Sequence, residues 1–238
     1  FKTGNVKKLV NQQATKAAIM NALKSLASQS KHGDIVYVHF SGHGQQMKDV
    51  HNDEKDGLDE CWIPYDAYRK PCEKDKGEKH LTDDEMNYYL NAIRDKIGDS
   101  GKMLVVIDAC HSGGATRGDE DEVVRGVEDI FEAIKSFIWG TSADNGKADV
   151  NPNAKENKER WITISACKSD QVNIEMKSPA VGKLTYAIYN KVKENTGNDN
   201  DDFIRRIRKF VNSNTGSRPQ YPEMTGETDR YRITDIIQ

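Results

Sequence analysis

Nothing in this 238-residue sequence approaches the ~18 consecutive apolar residues that a membrane-spanning helix requires, and its opening residues carry no signal-peptide pattern. Its four cysteines, Cys61, Cys72, Cys110 and Cys167, include no C-x-x-C pair. That removes the ligand spacing of a zinc ribbon and the density of a disulfide scaffold. An excess of either charge is also missing: 35 Lys and Arg stand against 38 Asp and Glu, a formal net charge of −3 with the two signs interspersed. Nucleic acid and acidic membranes are therefore not expected partners. No G-x-x-x-x-G-K-[ST] or G-x-G-x-x-G follows a β-like run, which disfavours a nucleotide site, and there is no internal repeat. A reducing, cytoplasmic setting is the expectation these absences leave.

What is present is a set of short, dense apolar runs divided by polar loops. Hydrophobic residues are 36% and charged residues 31%, a balance that reads as a folded core with hydrophilic insertions rather than disorder. The length suits one α/β domain over residues 1–238. Residues 14–27 carry Ile19, Leu23 and Leu26 at helical spacing behind Thr15, a helix cap. The run 35–40 is almost continuously apolar and β-branched, as in a strand buried on both faces of a parallel sheet, and it stops at Ser41-Gly42-His43-Gly44. A short apolar piece follows at 61–63. Thr82 and Glu85 then form a capping box in front of the stripe Met86, Leu90, Ile93 and Ile97. A second buried strand, 103–107, runs into Asp108-Ala109-Cys110-His111-Ser112-Gly113. Beyond it the spacing predicts a helix over 127–138, a mobile polar linker over 142–160, a strand at 161–166, helices at 184–192 and 203–211, and a last β-like run at 231–233. Strands alternating with helices predict a largely parallel α/β sheet.

In open α/β sheets functional groups collect beyond the carboxyl ends of the strands. Both long buried strands end there in a Gly-flanked reactive residue, His43 and, 67 positions later, Cys110. If the strands are parallel neighbours, the two emerge on one edge. A thiolate attacks an amide, and an imidazole can both generate it and protonate the leaving amine. Glycine beside the pair lets a carbonyl approach, and the backbone N–H groups of Gly44 and Cys110 are candidates for the oxyanion hole. His39, within its strand, and His111, next to the thiol, are competing bases.

Ser41-Gly42-His43-Gly44 and Asp108-Ala109-Cys110-His111-Ser112-Gly113 resemble the two active-site motifs of metacaspases, within the clan that also holds caspases. The resemblance extends to Asp59-Glu60 with Pro64 and Asp66, to Leu81-Thr82-Asp83-Asp84, to Ser165-Ala166-Cys167 and to Pro219-Gln220-Tyr221-Pro222. It implies a caspase-like three-layer sandwich, a largely parallel β-sheet with helices on both faces. It also implies a cysteine endopeptidase with Cys110 as nucleophile and His43 as base, acting as a monomer on protein or peptide substrates. The family further implies an opening strand and helix that are expected upstream of Phe1, supplied by a separated fragment of the same protein.

Asp108 stands two residues before the thiol, where a carboxylate attracts a cationic substrate side chain and repels an anionic one. The resemblance implies that Asp108 and Ser41 line a pocket for Arg or Lys, and Asp170 could add a second carboxylate. The chemistry needs no cofactor. Calcium is implied as an activator at Asp59, Asp83 and Asp84, although Arg117 falls at the fourth matching place and opposes a cation unless Asp119 substitutes. The stretch 52–60 is not an EF-hand, because with Gly57 at the turn Ile63 stands where a bidentate Glu is needed. Self-cleavage is implied too, with Arg117, Arg125, Lys147, Lys155, Lys158 and Arg160 as candidate sites. The rival readings are a catalytically silent caspase-like interaction module and another α/β hydrolase acting on a small ester or amide.

Overall fold

The computed structural model describes residues 1–48, 57–110, 122–132, 159–168, 171–194, 199–213 and 219–237. Helix α1 (Lys16–Gln29) starts at Thr15, whose hydroxyl accepts the N–H of Ala18. It leads to strand β1 (Ile35–Ser41). Strands β2 (Gly44–Lys48) and β3 (Leu58–Trp62) pair antiparallel, and the short β4 (Leu81–Thr82) joins β3. Helix α2 (Asp83–Ile97) opens on the expected capping box, Thr82 accepting from Glu85 N while the Glu85 carboxylate accepts Thr82 N. Strand β5 (Lys102–Asp108) follows.

β1 and β5 are parallel neighbours in register, with Phe40 opposite Ile107 and Ser41 opposite Asp108. β8 (Ile162–Ser165) continues the parallel set on the other side of β5, and β11 (Glu223–Gly226) closes it antiparallel, giving the order β1-β5-β8-β11. The alternation along β5 divides the core. Met103 and Val105 face α1 and α2, among Leu23, Leu90, Ile93 and Ile97. Leu104 and Val106 face helices α3 (Lys183–Lys193) and α4 (Asn200–Ser213) on the opposite side, among Leu184, Ala187, Phe203 and Ile207. Burying each such side chain is worth about 1.5–3 kcal/mol, so both layers of helices are anchored to one strand. This is a caspase-like α/β sandwich with a mostly parallel main sheet.

Two expectations need correction. Residues 126–131 are not the start of a helix: they form strand β7 (Gly126–Phe131), parallel to β2, directly after β6 (Glu122–Val124). Val127, Ile130 and Phe131 fit helical spacing, but pairing with a strand some 80 residues earlier overrides that local pattern. The run 231–233 is not a strand either. The Tyr231 hydroxyl bonds the backbone of Met103 and the chain then enters the short helix α5 (Thr234–Ile237). The remaining strands, β9 (Ile174–Lys177) and β10 (Ala180–Gly182), form a three-stranded sheet with β6, ordered β10-β9-β6. Most of the expected linker, 142–158, and the rest of the expected helix, 133–138, lie outside the described residues.

Candidate active site

The register of β1 and β5 sets the site. Because Ser41 lies opposite Asp108, the residues two further along each strand, His43 and Cys110, leave the sheet on the same edge. Gly42 N still donates to Asp108 O at 3.2 Å, so the strands remain paired until the point of departure. The His43 carbonyl accepts the N–H of Ile63 at 3.0 Å, which fixes the backbone of its loop.

Into this edge the chain delivers its own arginine. The carbonyl oxygen of Arg125 accepts from the backbone N–H of Cys110 at 3.3 Å and of Gly44 at 3.4 Å, the two donors expected of an oxyanion hole. Its N–H donates to the Asn173 carbonyl at 2.9 Å, and β6 just before it pairs antiparallel with β9. That is how an extended peptide is held when it adds a strand to a sheet edge. The guanidinium is almost fully buried. Nη1 donates to Ser41 Oγ at 2.6 Å and to the Asp108 carbonyl at 3.2 Å, and Nε donates to Glu175 Oε2 at 2.9 Å. The nearest oxygen of the Asp108 carboxylate stands 3.7 Å from Nη1.

Asp108 is fully buried and held from three directions. Asn173 Nδ2 donates to Oδ1 at 2.7 Å, while the backbone N–H of Thr185 at 3.0 Å and the Thr185 hydroxyl both bond Oδ2. Gln220, from the Pro-Gln-Tyr-Pro segment, in turn donates to Asn173 Oδ1 at 2.9 Å. Gly182 packs so tightly on the Asp108 carboxylate that a β-carbon there would lie far inside van der Waals contact.

The Cys110 sulfur, almost fully buried, stands 2.7 Å from the carbonyl oxygen of Gln171, to which its S–H donates. Cys167 lies beside it. A hydrogen bond with Cys110 and then burial push the Cys167 thiol far above its ordinary value, and burial does the same to Cys61. Neither of these two is a thiolate at neutral pH. The imidazole of His43 is shifted down, by partial burial first and then by the positive charge of Arg125, against the pull of Glu175. It is therefore a neutral acceptor near pH 7, the form a general base needs.

His39 does not compete for that role. Nδ1 is 2.8 Å from the Tyr37 hydroxyl and Nε2 is 3.1 Å from Thr185 Oγ1, so both nitrogens are engaged at the pocket floor. Among the self-cleavage candidates, Arg125 is at the site, whereas Arg160 pairs with Asp95 of α2 at 2.6 Å. His111, Arg117, Asp119, Lys147, Lys155, Lys158 and Asp170 lie outside the described residues. Asp59 is buried in β3, and Asp83 and Asp84 occupy the first turn of α2, where carboxylates complement the helix dipole. Among the described residues no group of three or more His, Cys, Asp or Glu side chains lies together in a way that could hold a metal ion. Sequence reading did not single out Asn173, Glu175, Thr185 or Gly182. Gln220 was visible only as part of a motif without a role.

The fold and this edge define a caspase-type α/β protein with a cysteine and a histidine at adjacent strand ends. A profile of the family described as "Metacaspase, peptidase C14 domain" matches residues 2–117. Metacaspase-1 of Schizosaccharomyces pombe is 28% identical over 88% of this chain and 54% of its own length, and Metacaspase-1B of Neurospora crassa is 27% identical over 87% and 53%. Metacaspase-1B of Aspergillus fumigatus is 33% identical over a shorter stretch, 53% of this chain and 31% of its own length. A crystal structure of a protein from Geobacter sulfurreducens shares the fold, with a TM-score of 0.60 and 22% identity over 98% of this chain and 83% of that one. The chain spans about half the length of the curated relatives it matches. These matches make the chain similar to metacaspases, which the matching family model describes as carrying a peptidase C14 domain. Among the described residues no helix is long and apolar enough to cross a membrane.

Proposed function

We propose that this chain is a cysteine endopeptidase that hydrolyses peptide bonds after arginine or lysine, with Cys110 and His43 as its reacting pair, and that its first substrate is its own Arg125–Gly126 bond. The observation that carries the reading is the double seat of Arg125, its carbonyl on the N–H groups of Gly44 and Cys110 and its guanidinium against Ser41 and Glu175. A solvated loop arginine satisfies neither end in this way.

In this reading the thiol turns off the Gln171 carbonyl, gives its proton to His43, and attacks the Arg125 carbonyl carbon. The charge that develops on oxygen meets two backbone donors whose bonds shorten as the carbon becomes tetrahedral; such a donor is worth about 10²–10³ in rate. His43 then protonates the Gly126 nitrogen, and the C–N bond breaks. Water, deprotonated by the same imidazole, cleaves the thioester and leaves a carboxylate at Arg125. The enzyme acts as a monomer, on external protein or peptide segments that take the place of β6.

The test is intact-mass analysis of purified wild type and Cys110→Ala, with matched fluorogenic peptides ending in Arg, Lys or Asp, in calcium and in chelator. The reading expects fragments divided at Arg125–Gly126 in the wild type alone, and turnover after Arg or Lys that disappears in Cys110→Ala. The calcium arm tests Asp59, Asp83 and Asp84 as an activating set. A wild type that stays whole and turns over no peptide in either condition would return the chain to the silent interaction module.

A further inference from the structure

The pocket holds two carboxylates, and they are not equivalent. Asp108 is committed to Asn173 and Thr185, and its carboxylate comes only to 3.7 Å of the guanidinium. It shapes the floor and supplies negative potential. Glu175, on the strand that pairs with β6, is about 29% exposed and reaches Nε at 2.9 Å. Within a guanidinium, the N–H of Nε and the Nη1 group point to opposite sides of the fork. Ser41 and the Asp108 carbonyl take one side and Glu175 takes the other.

We propose that Glu175 makes this pocket selective for arginine over lysine, by gripping the guanidinium Nε from the side opposite Ser41. The inference rests on the reading that Arg125 sits where the residue before the cut belongs. A lysine in the same trace puts a methylene where arginine has Nε. Its single ammonium reaches Ser41 only by leaving Glu175 without its donor, in a place where half-desolvated charge is costly to leave unpaired. Losing one hydrogen bond to a charged group corresponds to roughly tenfold or more in affinity, the range by which a site built for a donor rejects an analogue lacking it.

The experiment measures binding without turnover. In the full chain carrying Cys110→Ala and Arg125→Ala, which leaves the pocket empty and unreactive, calorimetry follows two peptides with the sequence of β6, acetyl-Glu-Val-Val-Arg-amide and acetyl-Glu-Val-Val-Lys-amide. The arginine peptide is expected to bind about tenfold or more tightly. Adding Glu175→Gln, nearly isosteric and uncharged, is expected to bring the two within about threefold, mostly by weakening the arginine peptide, with Glu175→Asp between. An unchanged Arg/Lys ratio in Glu175→Gln would overturn the proposal, as would equal affinities before it is introduced or binding of neither peptide. A wild type that hydrolyses nothing, alongside a preference that Glu175→Gln removes, would count against the proposed peptidase activity and leave this inference standing.

Discussion

Asp108 and Thr185 meet where β5 ends and α3 begins, and one carboxylate oxygen accepts both the backbone N–H of Thr185, at 3.0 Å, and its hydroxyl. The residue in the N-cap position of α3 is Gly182, which has no side chain to cap with. Asp108 thus caps the helix from another strand, its charge favoured by the helix N-terminus. Replacing Thr185 with Val keeps the shape, removes one donor, and leaves fully buried Asp108, and with it His39, short of one partner. Stability is expected to fall by about 1–3 kcal/mol, read by urea denaturation, and turnover of arginine peptides by about tenfold or more. Unchanged values in both assays would show that the hydroxyl plays no part in the pocket.

Gly182→Ala is a second, steric probe of the same floor. The added methyl collides with a carboxylate that Asn173 and Thr185 already hold in place, so the carboxylate or the start of α3 has to move. Overpacking of this kind costs about 1–3 kcal/mol, and peptide hydrolysis should drop with the melting temperature. A variant as stable and as active as wild type would mean that the floor yields easily.

Occupancy of the site by Arg125 has a readout that does not require hydrolysis. Cys110 is almost fully buried beneath the Arg125 carbonyl. Arg125→Ala removes the guanidinium's hold, and iodoacetamide should then alkylate Cys110 about tenfold faster or more, because reaction follows opening of the occluded state. Equal alkylation rates, followed by peptide mass mapping at Cys110, would exclude Arg125 as the occluding group.

Acid should weaken the fold. His80 is fully buried, with Nε2 3.0 Å from Gln45 Oε1 and its ring 4.3 Å from that of Phe131. Burial holds its imidazole below the ordinary 6.5, against the Asp75 carboxylate 3.9 Å away. His39 and His43 are shifted the same way, burial again being the first cause. Near pH 6 the unfolded chain binds more protons than the folded one. Stability is therefore complete above about 6.5 and declines as pH falls below that value toward the lowered folded values. A melting temperature that declines between pH 7 and pH 5, with a shallower decline in His80→Gln, is expected. A flat or rising profile would contradict it.

Much of the frame could be read from residue order alone. The β-branched runs at 35–40 and 103–107, the Thr82–Glu85 box and the reactive residues at the two strand ends are local patterns, and the structure keeps each of them. What could not be read depends on pairing across distance. Val127, Ile130 and Phe131 belong to a strand because β2 offers them an edge, and nothing near them in sequence announces it. Glu175 looks like an ordinary polar residue of a short strand and Asn173 like the loop residue in front of it. They enter the pocket only because β9 pairs with β6, which brings them to the arginine some 50 residues earlier. Arg125 is one of six equal basic candidates in the sequence for the same reason, and what recommends it is the seating of its carbonyl and guanidinium.

The two sides of the Arg125–Gly126 bond are fastened to different sheets, β6 to β9 on one side and β7 to β2 on the other. A tether of this kind holds a segment at an effective concentration of about a millimolar or more. While the Arg125 side chain anchors this internal segment, an outside peptide at micromolar concentration would compete poorly with it; removing that anchor by Arg125→Ala opens the pocket to added peptide. A cut at the proposed bond would change that arithmetic, because the β6 arm would become a chain end free to leave while β7 keeps its pairing with β2. A nicked chain would run as two pieces on a denaturing gel and as one particle in native chromatography, and its rate on added peptide would rise with the departure of β6 rather than with the cut itself.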